Sequence, residues 1–386
     1  MFHSFIRKKL IKSLSKITNG SIKLTLPDKQ ELYFRGQNSG YDADIKINNW
    51  HVITNLIAKG DVGFANDYRY ALWDTSDLQN LLNFCVSNDQ VLNNYSDGNF
   101  WFRKISKLIY LTKKNTIYGS KRNIEFHYDL GNDFYSLWLD PSMTYSSAIF
   151  DKENLNLQEA QLRKYDRLIS KIQHPNSSIL EVGCGWGGFA KRAIEAGHNV
   201  TGITLSHKQA SYAKSFLPPE QATILIEDYR NIKQQYDYIV SIEMFEAVGV
   251  KYWPTYFSKL KQLLNPHGKI LLQTITIDDD LFKNYTKNAD MIRTFIFPGG
   301  MLPSEEVLHQ QIQKHKLKCN EVYRFGQDYA QTLMHWFGSF NRAYDKVKQL
   351  GFDDGFIRIW KMYLAICIAG FKSQRINVVQ MELTHV

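Results

Sequence analysis

Five short apolar runs between residues 178 and 277 alternate with helical patterns, and no other feature restricts the fold as much. The runs read SILEVG, HNVTGITL, ATILIED, YDYIVSIE and GKILLQTITI. Each has strand length and is rich in β-branched residues. The segments between them carry apolar residues at helical spacing. Strands separated by helices pair in parallel, because the connection is long enough to hold a helix against the sheet. The expected core is therefore α/β, a parallel sheet with helices on both faces.

The first run leads into VGCGWGGF, in which Gly183, Gly185 and Gly188 fall at G-x-G-x-x-G spacing with Gly187 between them. Such glycines let a strand turn sharply into a helix and let a ligand approach the backbone. A dinucleotide site also needs an acidic residue about 20 positions further on, for the ribose hydroxyl. Here the second run ends in Thr204, Leu205 and Ser206, without a carboxylate. Carboxylates stand elsewhere, at Glu181 just before the loop and at Asp228 after the third run. They would oppose a pyrophosphate. S-adenosylmethionine has no phosphate and carries an ammonium and a sulfonium, so Glu181 suits its cationic end. Asp228 can accept from the adenine amino group, Tyr229 offers a ring for stacking, and Thr204 and Gln209 can bond the ribose.

The chain has 386 residues, enough for two domains, and is 44% hydrophobic. It holds 22 Tyr, 23 Phe and 8 Trp, rings that fill cores, line apolar pockets and settle at lipid interfaces. A net charge of +9 favours an anionic partner, either nucleic acid or an anionic membrane surface. The four cysteines (Cys85, Cys184, Cys319, Cys367) include no C-x-x-C pair, which argues against a disulfide framework or zinc site and for a reducing compartment. No metal is expected. No apolar run approaches the ~20 residues that cross a bilayer. A cytoplasmic protein, peripheral to the inner face of the membrane, is expected.

Ahead of the α/β region, MFHSFIRKKLIKSLSKI spaces Phe2, Ile6, Leu10, Leu14 and Ile17 as in a helix, with Arg7, Lys8, Lys9, Lys12 and Lys16 on the remainder. A signal peptide would need an unbroken apolar core after its charges; this stretch reads as a basic amphipathic helix. It suits a membrane surface or docking on its own domain. Alternating apolar residues on either side of Pro27-Asp28 signal a hairpin. The expected organisation is a small α+β domain over 1–98, a basic helical connector over 99–122 and the catalytic domain over 123–386.

The segments EFHYDLGNDFYSLWLDPSMTYSSAIF, LEVGCGWGGFA, GITLSHKQ, EDYRNI, SIEMFEAVG, IFPGGMLPS and RFGQDYAQTLMHWF, in this order, resemble the cyclopropane-fatty-acyl-phospholipid synthase family, which includes the mycolic acid cyclopropane and methyl transferases. The stretch GDVGF with Tyr68 and Trp73 is similar to that family's small lipid-carrier-like domain. The resemblance implies a Rossmann-like S-adenosylmethionine-dependent methyltransferase that adds a one-carbon unit across a cis double bond of an unsaturated phospholipid acyl chain, forming a cyclopropane fatty acid. It places cofactor contacts at Tyr145 and Ser146, Gly183 to Gly188, Thr204 to Gln209, and Asp228 with Tyr229. It further implies a bound bicarbonate as base, held at Glu246, Gln273, Tyr329, Ser147 and Ile275. Cys367 matches a position proposed as catalytic in relatives, although in the run YLAICIAGF a small buried apolar cysteine is the favoured reading. His127 is expected to shape the cofactor pocket. The expected partners are anionic membrane lipid and a second copy of the chain, not nucleic acid.

Three departures from that family bear on the product. Ser147 stands where a typical synthase has Cys, Gln273 where it has His, and Glu243 where it has Gly. Gln273 can donate a hydrogen bond but cannot carry a proton. Glu243 adds negative charge close to Glu246, which disfavours a bound bicarbonate unless one carboxyl is protonated. Methyl transfer stays intact under these changes. A different course of proton loss would give a methyl- or methylene-branched chain in place of the ring.

Overall fold

The structure is a computed structural model that describes residues 2–96 and 130–386. The expected connector at 99–122 and His127 lie outside the described residues. The chain packs into two compact units that are not contiguous in sequence, unlike the spans expected above. One comprises residues 1–112, 283–298 and 340–373, and the other comprises 113–282, 299–339 and 374–386.

In the first unit a four-stranded sheet has the order β2-β1-β3-β4, where β1 is Asn19–Thr25, β2 is Glu31–Arg35, β3 is Asn38–Ile47 and β4 is Trp73–Asp74. The expected hairpin joins β1 to β2, and Lys29 closes its turn by donating from its amide to Leu26 O at 2.8 Å. Helix Leu78–Ser87 begins where the Asp77 side chain accepts from the Asn80 amide, the usual way an aspartate satisfies an exposed helix N-terminus. Trp73 is fully buried. It stacks on Phe64 with ring centroids 4.1 Å apart, contacts Tyr68 at 4.5 Å, and donates from Nε1 to Phe64 O at 2.8 Å. The apolar helix Asp354–Lys372 belongs to this unit. Its Arg358 lies 3.8 Å from the centroid of the Tyr68 ring and donates to the carbonyls of Tyr68 and Trp73. Among the described residues, no helix is long and apolar enough to cross a membrane.

The second unit is built on a seven-stranded sheet of order β10-β11-β9-β8-β5-β6-β7. Its strands are β5 (Ser178–Val182), β6 (Asn199–Thr204), β7 (Ala222–Ile226), β8 (Tyr236–Ile242), β9 (Leu264–Ile277), β10 (Leu317–Arg324) and β11 (Ile376–His385). The five expected strands are all parallel. Two further strands, absent from the sequence reading, extend the β9 edge in antiparallel pairing. Between β5 and its neighbours the strand order reverses: the chain runs from β5 to β6 and β7 on one side, then returns to β8 and β9 on the other. Such a switch point opens a crevice at the carboxyl ends of the strands. The core beneath it is apolar, with Ile179, Val200, Val240 and Leu271 from four strands packed on Phe189 and Ala193 of helix Gly188–Glu195.

Trp73 anchors the small sheet to the helices of its unit. Trp73→Ala removes a fully buried indole and leaves the Phe64 carbonyl without its donor, so it should cost about 3–5 kcal/mol. Urea denaturation of the purified variant followed by circular dichroism checks this; an unshifted midpoint would contradict it.

Candidate active site at the sheet switch point

The crevice at the carboxyl ends of β5, β6 and β8 opens to solvent and holds about 960 Å³ of empty space. Its floor is the glycine loop. Gly183 has φ +84°, and a Cβ there would lie 2.9 Å from Met244 Cγ, so a larger residue would meet both backbone strain and a clash. At Gly188, where the helix begins, a Cβ would approach the Tyr165 hydroxyl to 2.9 Å. Gly185 and Gly187 also have positive φ.

Four carboxylates line the crevice (Glu181, Glu227, Asp228, Glu243), and no lysine or arginine is among the described lining residues. That charge pattern repels a pyrophosphate and suits a ligand carrying an ammonium and a sulfonium. Glu181 is 3% exposed, and burial raises its carboxyl well above the ordinary range. Its Oε2 has no hydrogen-bond partner among the described residues. An orphaned acceptor at the rim of a glycine loop fits a cofactor ammonium, which would supply the missing donor. Across the crevice, Thr204 Oγ1 donates to Gln209 Oε1 at 2.8 Å and accepts from the Ser206 amide at 3.1 Å, so the Thr204–Gln209 turn is fixed in advance. Asp228 is held in two places by Arg230, from Nε at 2.7 Å and from Nη2 at 2.6 Å. A carboxylate has about four lone-pair sites, which leaves acceptor capacity for an adenine amino group. Tyr229 is buried beside it, edge-on to Tyr256.

The reactive end is built around Glu243, the first residue after β8. Its backbone sits at φ +51°, a left-handed conformation that glycine takes freely and a glutamate does not. Its carboxylate collects three donors. Oε1 accepts from the Ser147 amide at 2.9 Å and from Gln273 Nε2 at 2.8 Å, and Oε2 accepts from the Tyr329 hydroxyl at 2.6 Å. Burial holds the Glu243 carboxyl above its ordinary value, and these bonds together with Lys164 pull it only part of the way back. Ser147 takes part through its amide, because its hydroxyl donates to Ala148 O. Gln273 is oriented in turn by Gln380 of β11, whose Nε2 donates to Gln273 Oε1 at 2.9 Å.

Glu246 sits apart from that cluster. Its Oε1 accepts from Thr274 Oγ1 at 3.0 Å and from the Ile275 amide, and its Oε2 has no partner among the described residues. Burial first, and then the charge of Glu243, push its carboxyl up to about 8. At neutral pH Glu246 is therefore protonated.

Two residues of this site were missed in the sequence. Lys164 is fully buried, donating to Ser146 Oγ at 2.6 Å and to Gln161 Oε1 at 2.8 Å. Burial pulls its ammonium down to about 7, while Glu243, Asp140 and Glu181 draw it back up, so a lysine that titrates near neutral pH stands behind the acidic crevice. Gln161 also donates to Ser146 O, fixing the segment that carries Ser147. The available signal was positional. In helix Leu157–Ile169 the buried stripe runs through Ala160, Gln161, Lys164, Tyr165 and Leu168, so a lysine and a glutamine occupy places meant for apolar residues.

A cluster of packed aromatic rings backs Tyr145, which lines the crevice. Tyr145 lies 5.2 Å from Trp336 between centroids, and Trp336 lies edge-on to Tyr329 at 6.1 Å. Tyr145 also touches Tyr135 and Trp138. Cys367, by contrast, is in the first unit on helix Asp354–Lys372, and burial raises its thiol. A raised thiol is a poor nucleophile at neutral pH.

An acidic crevice with a glycine loop at a switch point of this kind is what an S-adenosylmethionine-dependent methyltransferase requires, and this chain is such an enzyme. The match of residues 116–381 to the family model described as mycolic acid cyclopropane synthetase narrows the class. The chain belongs to that family. It is 34% identical to tuberculostearic acid methyltransferase UfaA1 of Mycobacterium tuberculosis, covering 84% of this chain and 79% of the relative. It is 33% identical to cyclopropane-fatty-acyl-phospholipid synthase of Escherichia coli K12, covering 89% and 88%. The solved structure of mycolic acid cyclopropane synthase CmaA1 complexed with SAH and CTAB superposes with a TM-score of 0.65 at 31% identity, over 68% of this chain and 97% of that one.

The protonated state of Glu246 gives a pH-dependent stability prediction. In the unfolded chain the group ionises above its ordinary value of 4.5, whereas in the folded protein it stays protonated to about 8. Stability derived from the raised value is present at low pH and is lost as pH rises through that window. Glu246→Gln cannot ionise, so its melting temperature relative to wild type should rise between pH 5 and pH 8. A constant difference across that range would show that Glu246 is ionised in the folded state.

Proposed function

We propose that this enzyme adds a one-carbon unit to the cis double bond of an unsaturated acyl chain in a membrane phospholipid, with a cyclopropane fatty acid as the product. The observation that carries the reading is the apposition of packed aromatic rings (Tyr145, Trp336, Tyr329) to a buried carboxylate cluster. S-adenosylmethionine, when bound, supplies an electrophilic methyl group. An alkene that accepts it becomes a carbocation, and ring faces stabilise such a charge while keeping water away. Glu181, Gly183, Gly185, Gly187, Gly188, Thr204, Gln209, Asp228 and Tyr229 would hold the cofactor, with Tyr145 and Ser146 at its reactive end. Glu243, Glu246, Gln273, Ser147, Ile275 and Tyr329 frame the place where a proton must leave. The phospholipid substrate is supported by the relative named as a phospholipid synthase.

A methylene-branched chain is the second reading: a hydride shift from the methyl-bearing carbon to the cation, followed by loss of a methyl proton to the fixed Glu243 carboxylate, gives it in place of the ring. Incubation with S-adenosylmethionine and oleoyl phospholipid vesicles tests both. Mass spectrometry should show the gain of one CH₂ per modified chain. High-field cyclopropyl protons in the NMR spectrum support the ring, and an exocyclic methylene signal supports the branched product. No mass gain on any unsaturated lipid, with methyl transfer to RNA or DNA instead, would overturn the proposal.

Peripheral membrane binding belongs to the same reading. Helix Phe2–Leu14 carries Arg7, Lys8, Lys9 and Lys12, and a basic residue near an anionic membrane contributes about 1 kcal/mol. Arg7 also pairs with Asp28 and bonds Gln30 of the hairpin turn. Co-sedimentation should be stronger with phosphatidylglycerol vesicles than with phosphatidylcholine vesicles and should fall with salt. Equal, salt-independent binding would rule out electrostatic docking.

A further inference from the structure

The donors expected to hold a bicarbonate already have an acceptor. Ser147 N, Gln273 Nε2 and the Tyr329 hydroxyl all point at the Glu243 carboxylate, at 2.9, 2.8 and 2.6 Å. A second anion placed among them would have to displace a buried carboxylate or lie against it. Like charges at that separation in a low-dielectric site repel strongly. The residues present therefore do not fit a separate bicarbonate.

We propose that Glu243 is itself the proton acceptor of the reaction, a base built into the chain at the place where a bound anion would otherwise sit. Its backbone supports this assignment. At φ +51° a glutamate is held in a strained left-handed conformation, and such strain persists where the surroundings fix a functional group. Gln161 and Lys164 support it from behind, because they fix the Ser146–Ser147 segment and put a buried lysine within electrostatic reach of Glu243. The neighbouring acid, Glu246, is protonated at neutral pH and cannot accept. Among the donors, Gln273 carries no exchangeable charge.

This inference rests on the proposed acyl transfer. The alkene π pair forms the new C–C bond to the methyl carbon, the C–S pair leaves with sulfur, and positive charge remains on the adjoining acyl carbon. A C–H bond of the transferred methyl then breaks, and its electron pair joins the methyl carbon to the cationic carbon, closing the ring; where a hydride first shifts from the methyl-bearing carbon to the cation, the same electron pair forms an exocyclic C=C bond instead. In either case the proton forms an O–H bond on Glu243. Water takes the proton from Glu243 between turnovers.

The test compares wild type, Glu243→Gly and Glu243→Gln. Glycine suits the left-handed backbone at this position, and retained S-adenosylhomocysteine binding by calorimetry reports that each variant is folded. Wild-type turnover should be indifferent to the removal or addition of bicarbonate. Both variants should lose roughly 10²–10⁴-fold in rate. Bicarbonate or formate should restore turnover to Glu243→Gly, where the carboxylate's space is vacated, and not to Glu243→Gln, where an amide fills it. Calorimetry with bicarbonate alone should show binding to Glu243→Gly and none to wild type. Bicarbonate binding to wild type, or undiminished turnover by Glu243→Gly in its absence, would overturn the inference. Should wild type fail on the lipid supplied, the substrate reading fails, while the calorimetric comparison still decides this one.

Discussion

A carboxylate that leaves water must find donors, and in this protein the donors found by Glu243 come from every part of the reactive end. The Ser147 amide belongs to the loop before helix Leu157–Ile169, Gln273 to β9 and Tyr329 to helix Gly326–Arg342. Each bond to an ionised group is worth about 1.5–3 kcal/mol, and losing one would leave a buried charge undersatisfied. The pieces of chain that meet here are remote in sequence, and one acceptor sets their spacing. Lys164 stands behind them, and Gln380 reaches from β11 to fix the amide of Gln273.

The two halves of the crevice follow from that arrangement. Toward the glycine loop, acidity serves binding: Glu181 keeps an oxygen without a partner, and no basic side chain is among the described lining residues. Toward β9, in the proposed reaction, acidity serves proton removal, and the surroundings of the two carboxyls there differ. Glu246 has two donors, both on one oxygen, and carries a proton at neutral pH; Glu243 has three donors and a nearby lysine. Burial raises both carboxyls; three donors and Lys164 pull Glu243 back down, whereas the charge of Glu243 pushes Glu246 further up.

The sequence made the binding half legible because it is local. A strand, a glycine loop and a helix lie in consecutive residues, so Glu181, Gly183, Gly185 and Gly188 could be read from spacing, and Asp228 and Tyr229 from the end of a strand. The five parallel strands were readable for the same reason. Strands β10 and β11 were not, since their antiparallel pairing with the β9 edge depends on contacts between segments far apart in sequence. Nor was the assignment of 283–298 and 340–373 to the first unit, which depends on where the apolar face of helix Asp354–Lys372 packs. Glu243 was visible as an unusual acid beside Glu246, whose added charge was expected to disfavour a bound bicarbonate unless one carboxyl is protonated. That its side chain collects the anion's donors depends on a backbone angle that no pattern of residue types reveals.

The central claim is that the Glu243 carboxylate occupies the anion position of the active site. A crystal structure with S-adenosylhomocysteine, grown in bicarbonate-containing buffer, tests it most directly. The account predicts Glu243 within hydrogen-bond distance of Ser147 N, Gln273 Nε2 and the Tyr329 hydroxyl, with no further anion among them. A trigonal anion bound to those three donors, with the Glu243 side chain turned away, would contradict it.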